Sequence, residues 1–268
     1  MPPAPGYNLL GVTVHATNYA AAVETIVEAA KAKRAFSCSA LAVHGVMTAA
    51  MHPPHSARLN TFDLITPDGQ PVRWALNWLH GARLADRVYG PFLTHQLCYR
   101  AASEGLRLFF YGSDEATLAS LARELRKEMP NLQIVGLRPS RFRRATEQEW
   151  LEDAEAIRRA QPDIVFCGLG CPRQEIWVYE MREYIRAPLI AVGAAFPFLA
   201  RRLAMAPRVM QRLGFEWLFR LCREPLRLWR RYLLLNPLFV FGVLIQKFGK
   251  RYGKKDEKNV IVPAERWS

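Results

Sequence analysis

The stretch Leu106-Arg107-Leu108-Phe109-Phe110-Tyr111-Gly112-Ser113-Asp114 decides the fold. A short apolar run rich in strand formers ends in a Gly-Ser turn, and Asp114 is a good N-cap for a helix predicted over Glu115 to Glu128. Leu132 to Leu137 is the next strand, followed by a basic loop from Arg138 to Arg144. Thr146 with Glu149 three residues on makes a capping box, so a helix starts there and runs to Ala160, stopping before Pro162. Asp163 to Gly168 and Pro188 to Val192 read as two further strands. Strands and helices alternating at this spacing predict a parallel sheet with right-handed crossovers, an α/β fold.

Toward the N-terminus, Asn8 to His15 reads as a strand, Tyr19 to Ala32 as a helix and Ala35 to Val43 as a second apolar stretch. Ser37, Ser39 and His44 are polar groups near the end of that stretch, where a ligand contact and a satisfied structural role both stay open. His52 and His55 flank a Pro-Pro turn and show no metal-ligand spacing. In Phe62 to Pro71 an apolar run enters the turn Pro67-Asp68-Gly69, and a helix over Val72 to Leu79 follows. Ligands of α/β proteins bind at the carboxyl ends of strands, so Asp68 is placed at the lip of a crevice beside a helix N-terminus. It is the first candidate catalytic residue; an ordinary turn aspartate bonding nearby amides is the alternative. Ala85 to Pro91 is a short extended run in which Arg87 either offers its fork of donors to a phosphate or pairs with a carboxylate such as Asp86.

The strand near Ile164 ends in Gly168-Leu169-Gly170-Cys171-Pro172-Arg173-Gln174-Glu175. Gly168 and Gly170 let the backbone approach a ligand closely, and Gln174 on the first turn of the next helix is in place to bond a base, ribose or diphosphate. The third glycine of a dinucleotide fingerprint is absent and the strand is not the first of its unit, which argues against a nicotinamide site.

The chain has 268 residues, half of them hydrophobic, enough to bury a full core. Its five cysteines are odd in number and contain no Cys-x-x-Cys pair, a pattern that argues for reduced, cytosolic thiols and against a disulfide scaffold or a zinc site. The N-terminus lacks a signal-peptide pattern, and no uninterrupted apolar segment reaches the roughly 18–20 residues of a spanning helix. Of the formal net charge of +13, most sits between Arg201 and Lys258, where fifteen Lys and Arg face Glu216, Glu224, Asp256 and Glu257. In the same region Pro207 to Leu213, Phe215 to Cys222, Pro225 to Leu235 and Leu238 to Phe248 read as consecutive helices, broken at Gly214, Glu224-Pro225 and Asn236-Pro237. Large apolar residues beside a cationic cluster, Lys247 to Lys255 following the last helix, mark a segment lying in an anionic membrane interface. A nucleic-acid-binding arm is a rival reading, weakened by the apolar content.

These residues resemble the WecG/TagA/CpsF glycosyltransferases. The resemblance rests on Pro67-Asp68-Gly69, Asp86 to Pro91, Gly168-Leu169-Gly170 with Pro172 to Glu175, Val192 to Phe196, Gly214 to Leu221, Glu224 to Leu228 and Arg230-Arg231-Tyr232, in that order and spacing. It implies an α/β, Rossmann-like parallel sheet core flanked by helices with a helical, membrane-associating C-terminal appendage. The parts expected are residues 1–200 as catalytic core with the nucleotide-sugar site, 201–250 as appendage and 251–268 as a basic flexible tail. It also implies transfer, with inversion, from a UDP-sugar to a polyprenyl-diphosphate-linked saccharide in bacterial surface-polysaccharide assembly, at the cytoplasmic membrane face. Asp68 is then the general base, Arg87, Gly168, Gly170 and Gln174 meet the donor nucleotide, and Ser39, His44, Arg220, Arg227 and Arg230 meet sugar or lipid diphosphate. No cofactor and no metal are expected, since the chain has no Asp-x-Asp pair; the oligomeric state stays open. The chain departs from the family pattern at Ser37-Cys38-Ser39, Phe92, Pro197 and Met205, around strand ends facing the donor. A catalytically inactive scaffold that binds UDP-sugar is the alternative those departures raise.

Overall fold

The computed structural model describes residues 3–249 and 262–268. A hairpin, β1 (Gly6–Leu9) and β2 (Val12–His15), precedes α1 (Tyr19–Lys31), β3 (Phe36–Leu41), α2 (Val43–Met51), α3 (Pro53–Leu59), β4 (Leu64–Pro67), α4 (Gln70–His80) and α5 (Gly90–Glu104). Then come β5 (Arg107–Tyr111), α6 (Glu115–Glu128), β6 (Gln133–Arg138), α7 (Glu147–Ala160), β7 (Ile164–Cys167), α8 (Arg173–Met181) and β8 (Pro188–Ala191). Short helices α9 (Ala195–Leu199), α10 (Arg208–Arg212) and α11 (Glu216–Arg223) lead to the long α12 (Pro225–Phe248).

Strands β3 to β8 form one six-stranded parallel sheet in the order β4-β3-β8-β7-β5-β6. The chain lays β3 and β4 at one side and β5 and β6 at the other, and β7 and β8 fill the gap. Alternation along each strand divides the core in two. Phe109, Tyr111, Val165, Cys167, Leu189 and Ala191 face the side covered by α2, α7 and α8. Leu108, Phe110, Ile164, Phe166 and Ile190 face α1, α5 and α6. Strands buried on both faces give the continuous apolar runs read in the sequence. The predicted capping box is present, with Thr146 and Glu149 bonding each other's backbone.

Three expectations are corrected. Asn8 to His15 is not one strand but most of a hairpin outside the main sheet, because Leu10 and Gly11 take positive φ (53° and 93°) and turn the chain back. Asn236-Pro237 does not break the C-terminal helix; α12 runs through Pro237 for 24 residues. The proline removes a ladder bond, but Leu228, Tyr232, Phe239 and Val243 form one buried face on both sides of it, so tertiary packing holds the halves in line. Among the described residues α12 is thus one helix long and apolar enough to cross a membrane by length and composition, with 22% of its apolar window buried.

The third correction concerns the last residues, expected to be a free tail. Val262 to Ser268 dock on the core, while 250–261 lie outside the described residues. Arg58, fully buried on α3, donates to the Pro263 carbonyl at 2.5 Å and to Glu265 at 2.9 Å. Trp267 bridges Arg144 in antiparallel register, and the Ser268 hydroxyl meets Tyr111 and Arg141 at 3.0 and 2.7 Å. Deleting Val262 to Ser268 strands the buried Arg58 guanidinium, a change expected to cost about 3–5 kcal/mol. Calorimetry of a chain ending at Ile261 should show a clearly lowered midpoint; an unchanged midpoint would deny the docked segment any structural role.

Candidate active site

The carboxyl ends of β4, β3, β8 and β7 lie side by side, and the turns leaving them build the site. Asp68 follows β4 directly. Its amide donates to the Leu41 carbonyl at 3.2 Å, continuing the β3–β4 pairing, and Gly69 takes φ 93°, which lets the chain reverse into α4. The segment before α5 returns along the same strand end, with the Val88 amide on the Pro67 carbonyl at 2.9 Å. That bond places Arg87 beside Asp68. The Gly90 amide, at the start of α5, reaches Asp68 Oδ2 at 3.4 Å. A Cβ on Gly90 would lie 2.9 Å from the Val192 carbonyl and 3.5 Å from Asp68 Oδ2, so only glycine lets β8, α5 and the aspartate meet.

Burial is the main influence on Asp68 and pushes its carboxyl up to about 6, with Glu216 adding to the rise. Arg87, the Gly90 amide and Arg220 pull the other way. Arg87 is buried; it donates to Glu216 of α11 at 2.6 Å and to Gln211 at 3.3 Å, and its guanidinium lies 4.3 Å from the Tyr89 ring centroid. The Tyr89 hydroxyl is pushed far above its ordinary range, first by burial and then by Glu216 and Asp68. Arg220 lies over the Phe198 ring at 5.6 Å. The appendage therefore closes over the strand ends through one buried ion pair, and Gly214 lets it sit close: with φ 77°, its Cβ position is 2.5 Å from the Trp74 ring.

A second group lies behind the β7 and β8 ends. Gln174 is buried; its Oε1 accepts the Gly170 and Gly193 amides at 3.2 and 2.9 Å, and its Nε2 donates to Glu175 at 2.7 Å. The side chain is a clasp between two turns and not the open ligand contact expected from the sequence, because the glycine turns spend their amides on it. The Ser39 hydroxyl is likewise consumed, donating to the fully buried Glu175 at 3.1 Å. Gly168 packs on the Phe196 ring, 2.6 Å from its Cβ position, and Gly170 takes φ 81° with nothing within 4 Å of that position. His44 is half-buried with Nδ1 unpartnered, and burial lowers its imidazole to about 4.

Of the expected residues, the fold brings Asp68, Arg87 and Arg220 together and sets Gly168, Gly170, Gln174 and Ser39 along the neighbouring strand ends. Arg227 and Arg230 are not among them. Arg227 is exposed and paired with Glu224, and Arg230 is exposed beside Trp229. Glu216, Tyr89, Gln211 and Glu175 join the site without having been expected as site residues. Glu216 carried a signal, as a lone acid between aromatic and basic residues on a short helix.

Residues 7–253 match the glycosyl transferase WecG/TagA/CpsF family. The chain belongs to this family. It is a glycosyltransferase. Similar proteins include one from Bacillus spizizenii named N-acetylglucosaminyldiphosphoundecaprenol N-acetyl-beta-D-mannosaminyltransferase, 30% identical over 73% of this chain and 74% of the relative. A protein of the same name from Bacillus subtilis is 30% identical over 75% of this chain and 76% of its own length. The docked segment Val262 to Ser268 lies beyond the stretch this transferase shares with the family.

Proposed function

We propose that the chain transfers a sugar from a UDP-sugar to a polyprenyl-diphosphate-linked saccharide, with inversion, Asp68 acting as general base. The observation that carries the reading is the Asp68 carboxyl held at a strand end by the Gly90 amide, with Arg87 brought beside it by the Val88–Pro67 bond and burial pushing its pKa up to about 6. The acceptor hydroxyl attacks the anomeric carbon, its proton passes to Asp68, and the bond from that carbon to the UDP oxygen breaks. A base with a pKa near the working pH is efficient and mostly ionised there. Arg87 and Arg220 receive the charge that grows on the departing diphosphate. This chemistry needs no metal. The similar proteins carry names that describe an N-acetylglucosaminyl-diphospho-undecaprenol acceptor, which supports a lipid diphosphate acceptor for this chain.

The same reading sets the protein on the cytoplasmic membrane face as a peripheral enzyme. The inner face of α12 is bound to the hairpin, Gln246 holding Leu10 and Asn8 backbone at 2.9 Å each. Its outer face exposes Leu226, Leu233, Leu234, Val240, Phe241 and Phe248. Such a face beside Lys247 and the basic residues that follow suits an anionic lipid surface. Exchanging Leu234 and Phe241 for glutamate removes about 2 kcal/mol of apolar burial each and is expected to cut binding to phosphatidylglycerol vesicles more than tenfold. Unchanged co-flotation would remove α12 from membrane contact.

The transfer is tested by supplying UDP-sugars and a short-chain polyprenyl-diphosphate-N-acetylhexosamine in detergent. A lipid product one sugar heavier, with its new anomeric configuration opposite to that of the donor, is expected. A product that keeps the donor configuration would overturn the single displacement.

A further inference from the structure

The transfer chemistry leaves unused a trio behind the β7 turn: buried His55 on α3, half-buried Cys171 in the turn itself and buried Glu175 on the first turn of α8. One donor atom from each, an imidazole nitrogen, the Sγ and a carboxylate oxygen, lies within 4.8 Å of the other two. His55 is 2% exposed, and both its ring nitrogens are without a hydrogen-bond partner. Glu175 is 0% exposed; Oε1 takes the Ser39 and Gln174 bonds while Oε2 has none. Buried polar atoms are rarely left so, because each unpaired one costs about 1–3 kcal/mol. The unpaired imidazole of His55 and the second oxygen of Glu175 meet at the Cys171 thiol, whose other neighbours are Glu175 itself and Thr48, and the empty bonding positions of His55 point to a missing shared partner.

We propose that His55, Cys171 and Glu175 bind one divalent transition-metal ion, of which zinc fits best. A thiolate, an imidazole and a carboxylate form a mixed N, S, O set suited to that borderline-soft ion, with a fourth position left for water. The charges also close, since a dication with one thiolate and one carboxylate is neutral, the condition for a buried group. Arg231 approaches Cys171 from α12 with its Nε buried and unpartnered. No spacing in the sequence announces the site, since 116 residues separate His55 from Cys171. Asp68 is not a ligand. The ion ties the turn carrying Gly168 and Gly170 to α3, and so holds the Gln174 clasp at the strand ends.

The test is cobalt(II) titration of the full chain without an affinity tag, in a Cys222→Ser background because that cysteine is exposed. One equivalent should bind with a thiolate-to-cobalt charge-transfer band, and added zinc should abolish the band. Cys171→Ser should lose the band while keeping the folded far-ultraviolet dichroism, and His55→Asn should weaken binding at least tenfold. Absence of saturable one-equivalent binding by the folded chain, or a band that survives in Cys171→Ser, would overturn the site. Neither readout depends on transferase turnover.

Discussion

Asp68→Asn is expected to abolish transfer and, at neutral pH, to make the protein more stable. Loss of a positioned general base costs about 10²–10⁴ in rate. The amide is close in shape and can still accept from Gly90, so UDP binding should change little. The stability gain follows from linkage. The carboxyl has an ordinary value of 3.8 and a folded value of about 6, so the fold holds the proton more tightly than the unfolded chain does. The contribution of Asp68 to stability is therefore highest below 3.8, falls as pH rises from 3.8 to about 6, and stays at the lower level above. The full shift corresponds to about 3 kcal/mol, and partial solvent access to Asp68 reduces this to roughly 1–2 kcal/mol. Asparagine escapes that penalty, and a midpoint higher by a few degrees at pH 8 but not at pH 3.5 is the expected calorimetric result. An inactive variant that is also less stable at pH 8 would point to a structural aspartate instead.

The second large effect concerns the Arg87–Glu216 pair. Glu216 raises the Asp68 pKa and Arg87 lowers it, so removing either charge moves the pH profile in opposite directions. Glu216→Gln deletes a repelling neighbour and leaves Arg87 to Asp68 alone; the acid limb of kcat/KM should move to lower pH. Arg87→Met leaves two carboxylates facing each other, and the limb should move higher, with kcat/KM falling by about 10² or more as the diphosphate loses a cation. Both variants break a buried ion pair, a loss of about 3–5 kcal/mol, and should loosen the appendage where Gly214 meets Trp74. Limited proteolysis between α10 and α12 reads that loosening. Limbs that move together, or stay in place, would show that the pair does not set the charge of Asp68.

The alternation from Leu106 to Val192 was legible because parallel strands are buried on both faces and their helices carry ordinary caps. Asp68 and Arg87 were legible as residues closing strand-like runs, and the fold joins them through the Val88 amide. The roles of Gln174 and Ser39 were not. A sequence shows a polar side chain near a strand end but not that glycine amides and a buried glutamate have already satisfied it. Pro237 misled for a related reason: local propensity says break, and only the shared buried face of α12 decides otherwise. Glu216 was hidden by distance, 129 residues from the arginine it meets.

The most direct measurement is the initial rate of UDP release by the full-length protein in detergent. Wild type and Asp68→Asn would each be given a UDP-sugar, with and without a polyprenyl-diphosphate-linked saccharide. The account predicts release that requires both substrates and falls by at least 10² in Asp68→Asn while UDP still binds. Release at wild-type rate from Asp68→Asn, or release indifferent to the lipid acceptor, would contradict it.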